Sequence, residues 1–305
     1  MTIQIVKLAN NHLKAAAELL NQEYKDSVEF IPFSEERIQA EIIRRHLKIL
    51  VAEENNKVLG LIATHSHENS EEHVTWLTAL EGNEQQAIEN TLVDEFEKRT
   101  DANTVIMMIE EKSPSISAWV KRGYSLEPGY RQMTAKLDGA RTIPKVGRNV
   151  KLRTLRKDEE KEFVEVVNAG FGHKRLEIGD LEAWKSVDAP FNEDWVQIAE
   201  VDGRIVSVVV AKPDTDSVRY LHLRRGYLGP AATLPEFRNM HLASALTAQA
   251  MNCLFEKGMD SVRLGTSETN VSSNALLRNL GFQIGDVTKI LRKKLNNAAE
   301  TESTH

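Results

Sequence analysis

The stretch Leu228–Leu246 reads LGPAATLPEFRNMHLASAL and decides how the whole chain is interpreted. It predicts a strand that ends near Pro235, a short polar loop, and a helix that opens with the small residues Ala243–Ala245. The first N–H groups of a helix have no partner inside it and lie at the positive end of its dipole, so they bind phosphate where small side chains allow approach. Arg238 adds a cation at the loop. The pattern indicates a phosphate site, and a plain strand–loop–helix crossover is the alternative.

The sequence contains an internal repeat, in which the same order of elements occurs twice. AEENNKVLGLIA begins at Ala52 and AEVDGRIVSVVVA begins at Ala199, an offset of 147 residues (199 − 52). In both segments two β-rich runs flank residues typical of tight hairpin turns, Asn55-Asn56 and Asp202-Gly203. A third strand, a long helix, another strand, a short helix and a last strand follow in each half. We therefore predict an α/β (α+β) fold of two tandem domains, each a twisted mixed sheet flanked by helices.

The domain boundaries are predicted from a break in this order. Residues 139–148 (GARTIPKVGR) hold two Gly and one Pro without periodicity, as is typical of a linker. We expect a first domain over residues 1–138 and a second over residues 149–295. The polar residues 296–305 are expected to form a disordered tail.

Composition excludes several classes of protein. The 305 residues carry 45 acidic and 39 basic side chains, a net charge of −6, which argues against a general binder of nucleic acid or anionic membranes. Cys253 is the single cysteine, so an internal disulfide framework is excluded. The first ten residues are too polar for a signal-peptide core, and the longest apolar run, Ile205–Ala211, is too short to span a bilayer. We expect a cytoplasmic protein that can form a homodimer.

Two motifs resemble those of the GNAT superfamily of acyl-CoA-dependent N-acyltransferases. Thr233–Leu246 is similar to its signature V-x-P-x-x-R-x-x-G-[IL]-[GA]-x-x-L, with Thr at the first position and His241 at the Gly position. The second signature, an Asn followed by a short helix that ends in L-G-F, is matched by Asn270 through Leu280–Phe282. The resemblance covers both halves in the order of elements, is closest over Trp195–Phe282, and is to tandem members with a mycothiol-synthase-like layout.

The resemblance implies acetyl-CoA as co-substrate, no metal, and direct transfer of acetyl to an amine. It implies that backbone groups before Pro235 pair with the pantetheine arm, that the following turn holds the pyrophosphate, and that Asn270 contacts the pantetheine or acetyl region. His241 either holds the pyrophosphate further off than Gly does or adds a donor of its own. The implied cofactor-binding residues are Ala231, Ala232, Thr233, Arg238, Asn239, Met240, His241, Leu242, Ala243 and Asn270.

The catalytic acid and base do not follow from the resemblance. An amine with a pKa near 10.4 is neutral in roughly one molecule per thousand at neutral pH, so a base is needed, and the leaving thiolate needs a proton donor or dipole. The position often held by the donor Tyr is Leu277, and the position of a Glu base in some members is Gly265. Each remaining candidate is of a type that is more often a solvated or hydrogen-bonded surface residue than a catalyst, and their roles are not separable by sequence. These candidates are Glu268, His222, Tyr227 and Asp216.

The first half is predicted to have lost the cofactor site. Alignment of the two long helices places Glu84 at the position of Arg238 and Glu89 at that of Ala243, while Lys112 replaces Asn270. Two carboxylates would face a diphosphate, where like charges repel. This half is expected to serve as scaffold, dimer surface or substrate-shaping element.

Two further features are interpreted as structural. The segment His65–His73 (HSHENSEEH) offers possible metal ligands, but a solvated polar hairpin is the preferred interpretation and we predict no metal. Those ligands would be His65, His67, His73, Glu68, Glu71 and Glu72. Cys253 lies among apolar residues of a long helix with no His at a helical spacing, which favours a structural thiol.

The sequence as a whole therefore predicts an acetyl-CoA-dependent N-acetyltransferase that acts on a small-molecule or peptide amine in its C-terminal domain. A non-catalytic acyl-CoA-binding or interaction protein on the same tandem fold is the alternative, since Leu277 and Gly265 replace the familiar acid and base. A third reading, aminoacyl transfer from tRNA, fits the acidic charge poorly.

Overall fold

A computed structural model of the chain describes residues 3–27, 29–67 and 70–295. The predicted tail, residues 296–305, lies outside the described residues. The strands and helices of the first half, in chain order, are β1 Gln4–Lys7, α1 Leu13–Tyr24, α2 Glu35–Arg45, β2 Lys48–Glu54, β3 Lys57–His67, β4 Glu71–Ala79, α3 Gln85–Arg99, β5 Thr104–Glu110, α4 Ile116–Lys121 and β6 Ser125–Lys136. Those of the second half are β7 Val150–Thr154, α5 Glu160–Phe171, α6 Asp180–Val187, β8 Val196–Val201, β9 Arg204–Pro213, α7 Thr215–Tyr220, β10 Arg225–Thr233, α8 Leu242–Glu256, β11 Ser261–Ser267, α9 Val271–Asn279 and β12 Gln283–Lys294.

The chain divides into two compact units of the same topology. The described residues up to Gly129 and those from Thr288 onward form unit 1, and Tyr130–Val287 forms unit 2. Unit 1 has the strand order β1-β2-β3-β4-β5-β12, and unit 2 has β7-β8-β9-β10-β11-β6. Among the described residues, each unit has one parallel pairing, β4 with β5 and β10 with β11. The predicted mixed α/β class and internal repeat are thus confirmed.

The two units do not follow the predicted domain ranges. In β6, Tyr130–Lys136 pairs with Ser261–Ser267 of β11 and so completes unit 2. In β12, Thr288–Lys294 pairs with Thr104–Glu110 of β5 and completes unit 1. Each unit therefore takes its sixth strand from the other half of the chain. Such a long-range exchange leaves no local signal in the sequence.

Local turn chemistry explains the hairpins. Asn55 and Asn56 have φ angles of 51° and 63°, and Asp202 and Gly203 have φ angles of 49° and 82°, as the predicted two-residue turns require. β3 and β4 form a long hairpin, since β3 reaches His67. The pairing of β3 with β4 thus continues past the apolar residues into a polar end of the hairpin.

Helices cover both faces of β9 in unit 2. All of Ile205–Ala211, including Ser207, is at most 1% exposed, as is typical of a strand packed between two helical layers. On one face α8 approaches closely, because a Cβ at Gly226 of β10 would lie 2.5 Å from the Leu254 side chain. Among the described residues, no helix combines the length and apolar composition needed to cross a membrane.

Candidate active site

The parallel pairing of β10 with β11 stops partway along both strands. Only Arg225–Tyr227 pairs with Ser261–Arg263, although both strands continue for several residues. The register of β10 against β9 shifts just after Leu228, which bends the strand. We call the resulting opening between Leu228–Thr233 and Leu264–Ser267 the strand gap.

Two residues of β10 direct their peptide groups into the strand gap. The N–H of Leu234 donates to the carbonyl of Val206 at 2.9 Å, which fixes the phase of the ladder. Successive residues of an antiparallel ladder direct their peptide groups to opposite sides. Ala232 therefore faces β9, whereas Ala231 and Thr233 face away from it. Three residues were predicted to pair with pantetheine. The peptide groups of Ala232 are bonded within the sheet, whereas those of Ala231 and Thr233 are directed into the strand gap.

The turn Leu234–His241, which joins β10 to α8, has the geometry of an anion site. Asn239 and His241 have φ angles of 65° and 59°, a left-handed conformation that Gly adopts most cheaply and that Asn and His reach more readily than most residues. The N–H of Ala245 donates to the carbonyl of His241 at 3.0 Å. The preceding N–H groups, of Leu242–Ser244, have no partner within the helix. They lie at the positive end of a 15-residue helix.

Arg238 is exposed and ties this turn to α5. Its Nη2 donates to the carbonyl of Gly170 at 2.8 Å. Gly170 lies so close to β10 that a Cβ there would be 2.8 Å from the Cβ of Ala232. Because a guanidinium has five N–H donors, Arg238 retains others for a phosphate.

Asn270 lies at the start of α9, where its side chain caps the helix. Its Oδ1 accepts from the N–H of Ser273 at 3.0 Å. This bond uses one lone pair of Oδ1, so the amide nitrogen and the second lone pair are left to contact a pantetheine. The predicted ligand residue is therefore also a structural one.

Asn274 and Arg131 were not predicted from the sequence. Asn274 is buried, and its Nδ2 donates to the carbonyls of Ser267 at 3.0 Å and Asn270 at 2.7 Å. Arg131 of β6 donates from Nη1 to Oδ1 of Asn274 at 3.1 Å. These bonds fix α9 against the end of β11. The sequence signal for Asn274 was a polar residue one turn after a capping Asn. Its partner Arg131 is remote in sequence, so the contact between them had no such signal.

Tyr227 lies at the apex of the strand gap. It belongs to the last pair before β10 and β11 diverge. A Cβ built on Gly229 would lie 3.2 Å from its ring and 3.7 Å from its hydroxyl. The phenol therefore lies alongside the bend of β10, next to the opening.

The other candidate catalysts are placed less favourably. Glu268 follows β11 directly, and its side chain is 11% exposed. Its carboxylate lies 3.8 Å from Nη2 of Arg131. His222 and Asp216 precede β10, whose nine residues extend on the order of 25 Å, and so lie at the opposite end of the strand from Thr233. The structure does not bring these two to the gap. Leu277 is 3% exposed and part of the core.

Unit 1 repeats the strand gap but not the turn. Pairing of β4 with β5 stops at Val74, although β4 continues to Ala79. The connection to α3 is Leu80–Glu84, five residues where unit 2 has eight. Glu89 on the first turns of α3 is half-buried, and burial together with the nearby Glu23 carboxylate raises its pKa. A shortened turn and acidic surroundings replace the anion geometry of unit 2.

Cys253 is only partly exposed on α8. Burial raises the pKa of its thiol to about 11. It is therefore protonated at neutral pH, in keeping with the structural role that the sequence favours.

Comparison with known proteins finds a family model that matches most of unit 2. Residues 152–282 match the sequence model described as the acetyltransferase (GNAT) family. Among proteins with curated descriptions, the chain's sequence finds no match.

Solved structures share the fold of nearly the whole chain. A GCN5-related N-acetyltransferase from Sphaerobacter thermophilus has a TM-score of 0.71 and 16% identity, with 96% of each chain covered. A tandem GNAT protein from the clavulanic acid biosynthesis pathway has a TM-score of 0.68 and 14% identity, with 96% of this chain and 99% of that one covered. A GCN5-related glucosamine N-acetyltransferase region of a fungal β-N-acetylglucosaminidase has a TM-score of 0.73 and 13% identity, and this chain spans only 38% of that longer protein. With the strand gap and the turn into α8, these likenesses show that the chain has the fold of tandem GNAT proteins and that residues 152–282 resemble the acetyltransferase (GNAT) family.

Proposed function

We propose that unit 2 binds acetyl-CoA and transfers its acetyl group directly to an amine. The observation that carries this proposal is the continuity of the strand gap with the turn Leu234–His241. An extended arm paired with Ala231 and Thr233 leads directly to the free N–H groups at the start of α8. This order, a strand-like segment followed by an anion, is the chemical order of pantetheine and pyrophosphate.

The ammonium must first lose a proton to a base, because only the neutral amine has a lone pair. The amine nitrogen then bonds to the acetyl carbon, the carbon–sulfur bond breaks, the nitrogen loses a second proton and the leaving thiolate takes up one. Tyr227 is proposed as the proton donor because its hydroxyl lies at the apex of the strand gap. Glu268 is proposed as the base or as the end of a water chain to it, with its carboxylate 3.8 Å from Nη2 of Arg131.

The acceptor is proposed to be a small-molecule or peptide amine. It would reach the apex from the face of the sheet that carries Tyr227, where α6 contributes Trp184 and β9 contributes Lys212 opposite Tyr227. We also propose a cytoplasmic location and no metal in this reaction.

A non-catalytic acyl-CoA-binding protein is the second candidate. The buried Leu277 favours it, because the side chain at that position of α9 has no proton to donate and is packed in the core. In that case unit 2 binds acetyl-CoA with unchanged geometry but no amine is acetylated.

Binding is tested by calorimetry with acetyl-CoA on the full chain. Arg238→Ala is expected to weaken binding by about 1–3 kcal/mol, the range of a charge-assisted hydrogen bond. Arg224→Ala is the matched control, because this exposed arginine precedes β10 at the end remote from the turn. Equal affinity of both variants and wild type would place the anion site elsewhere.

Catalysis is tested by release of free thiol from acetyl-CoA with a panel of small amines and peptides. Tyr227→Phe keeps the ring but removes the hydroxyl, so kcat is expected to fall by about 100-fold or more while the Kd for acetyl-CoA stays unchanged. Saturable binding without turnover of any amine supports the non-catalytic candidate. If kcat is unchanged in Tyr227→Phe, the proton that the thiolate takes up comes from another group.

A further inference from the structure

The β3–β4 hairpin of unit 1 gathers three metal-ligating side chains. The register pairs His65 with His73 and His67 with Glu71, so all four share one face of the hairpin. The rings of His67 and His73 stack with their centroids 4.9 Å apart. Ligand atoms of His67, Glu71 and His73 all lie within 4.8 Å of one another.

We propose that His67, Glu71 and His73 bind one divalent transition-metal ion, with Zn²⁺ as the reference ion. Two imidazole nitrogens and one carboxylate form a common donor set for Zn²⁺ and its neighbours. Metal–ligand bonds near 2.0–2.1 Å in a tetrahedron require ligand atoms about 3.4 Å apart. The ligand atoms are at most 4.8 Å apart, so binding requires the side chains to move closer by at most about 1.4 Å.

His73 has a poorly satisfied ring nitrogen that lies beside the Glu71 carboxylate. Its Nε2 is buried and makes no hydrogen bond among the described residues. Oε2 of Glu71 lies 3.5 Å from it. A buried polar atom without a bond is costly, and an ion between the nitrogen and the carboxylate satisfies both atoms at once.

Neighbouring groups hold the ligands in place. Oε1 of Glu71 accepts from Nη1 of Arg292 at 2.8 Å, and Arg292 is held in turn by Glu127. Such outer partners orient a ligating carboxylate and leave its second oxygen for the metal. His65 is engaged with Thr75, its Nδ1 lying 2.9 Å from the threonine hydroxyl, and so it is not one of the three ligands.

The site borders a cavity of about 660 Å³ within unit 1, which His67 and Glu71 help to line. This volume is in the range of small-molecule sites. Its walls combine apolar residues such as Leu47 and Phe96 with the cation of Lys48. Three protein ligands leave an open coordination position, so the ion is proposed to hold a water or a small anionic ligand from the cavity.

The test uses the full chain, freed of metal by a chelator and titrated with Zn²⁺. Wild type is expected to bind one ion tightly, and Co²⁺ in its place is expected to give the visible absorption of a low-coordinate nitrogen and oxygen site. His67→Ala and Glu71→Gln are each expected to weaken binding by more than about tenfold, since loss of even an outer-shell partner typically costs that much. His173→Ala, at an exposed histidine of unit 2, is the control and is expected to bind as wild type.

Circular dichroism and thermal unfolding confirm that each variant folds. Glu71→Gln keeps the shape of the side chain, so it remains informative if a histidine variant is unstable. Zn²⁺ binding that is unchanged in His67→Ala and Glu71→Gln, or weakened equally in His173→Ala, would show an adventitious ion only and overturn the proposal. Absence of binding to wild type would overturn it too. Neither result bears on acetyl-CoA binding in unit 2.

Discussion

His241 shows how one departure from a signature acts through backbone conformation. His241 stands at the position usually held by Gly and has a φ of 59°. The usual preference for Gly there is therefore explained by the left-handed conformation as well as by the room that the ligand needs. A side chain in this conformation costs on the order of 1 kcal/mol. That cost is modest for His, which leaves the turn intact.

His241→Gly is expected to raise the unfolding free energy by about 0.5–1 kcal/mol, because it relieves this conformation. Asn239→Gly is the matched control in the same turn and is expected to gain less, since Asn tolerates left-handed angles. Chemical denaturation measures both. A loss of stability in His241→Gly would mean that the imidazole makes a stabilising contact. The affinity of His241→Gly for acetyl-CoA separates the two roles of the imidazole. Weaker binding indicates that it donates to the ligand, and tighter binding indicates that it holds the pyrophosphate off.

Asn270 is expected to have two roles that paired substitutions can separate. Asn270→Ala removes the cap of α9 and should cost about 1 kcal/mol of stability. Asn270→Asp keeps the capping oxygen but removes the amide donor. If the amide contacts the pantetheine, Asn270→Asp raises the KM for acetyl-CoA while the Tm stays close to wild type. An unchanged KM in Asn270→Asp would reduce Asn270 to a cap.

Glu89 gives unit 1 a distinct dependence of stability on pH. Its folded pKa is raised by burial and by Glu23, so the folded state binds the proton more tightly than the unfolded state. Stability is then greatest below the unfolded pKa of Glu and falls as pH rises through the folded pKa. Glu89→Gln should raise the Tm more at pH 8 than at pH 4, because the substitution removes the buried charge that forms at the higher pH. An equal shift of the Tm at the two pH values would contradict the buried charge.

At the scale of elements, the exchanged strands make each half of the chain incomplete. A fragment of residues 139–287 lacks the β6 segment, which contributes the buried Met133 and Ala135 to the core of unit 2. A fragment of residues 130–287 contains every strand of that unit. We expect the longer fragment to show a cooperative thermal transition and the shorter one to show none. Equal transitions in both would contradict the assignment of β6 to unit 2.

Elements set by local chemistry were predictable from the sequence, and those set by remote pairing were not. The hairpin turns at Asn55-Asn56 and Asp202-Gly203, and the start of α8, follow from residues that act within a few positions. The exchange of β6 and β12 depends on partners far along the chain. The same holds for the site, where the helix start was predicted and the contact of Arg131 with Asn274 was not.

At the scale of the whole molecule, two units of one topology have different chemistry. Unit 2 combines a strand gap with an eight-residue turn and short side chains at a helix start. Unit 1 keeps the gap, shortens the turn and places Glu89 nearby. A carboxylate within about 4 Å of a phosphate opposes binding by several kcal/mol at an effective dielectric near 20, more than the roughly 1 kcal/mol that a helix start contributes. We therefore expect a single acetyl-CoA site per chain.

The most direct test is the stoichiometry of acetyl-CoA binding, measured by calorimetry on wild type and on Ala243→Glu. Wild type is expected to bind one acetyl-CoA per chain. Ala243→Glu places a carboxylate at the start of α8 and is expected to abolish binding with no residual site, while Ala243→Ser, a matched small substitution, is expected to retain it. A stoichiometry of two, or saturable binding that survives Ala243→Glu, would contradict the assignment of the acyl-CoA site to unit 2 alone.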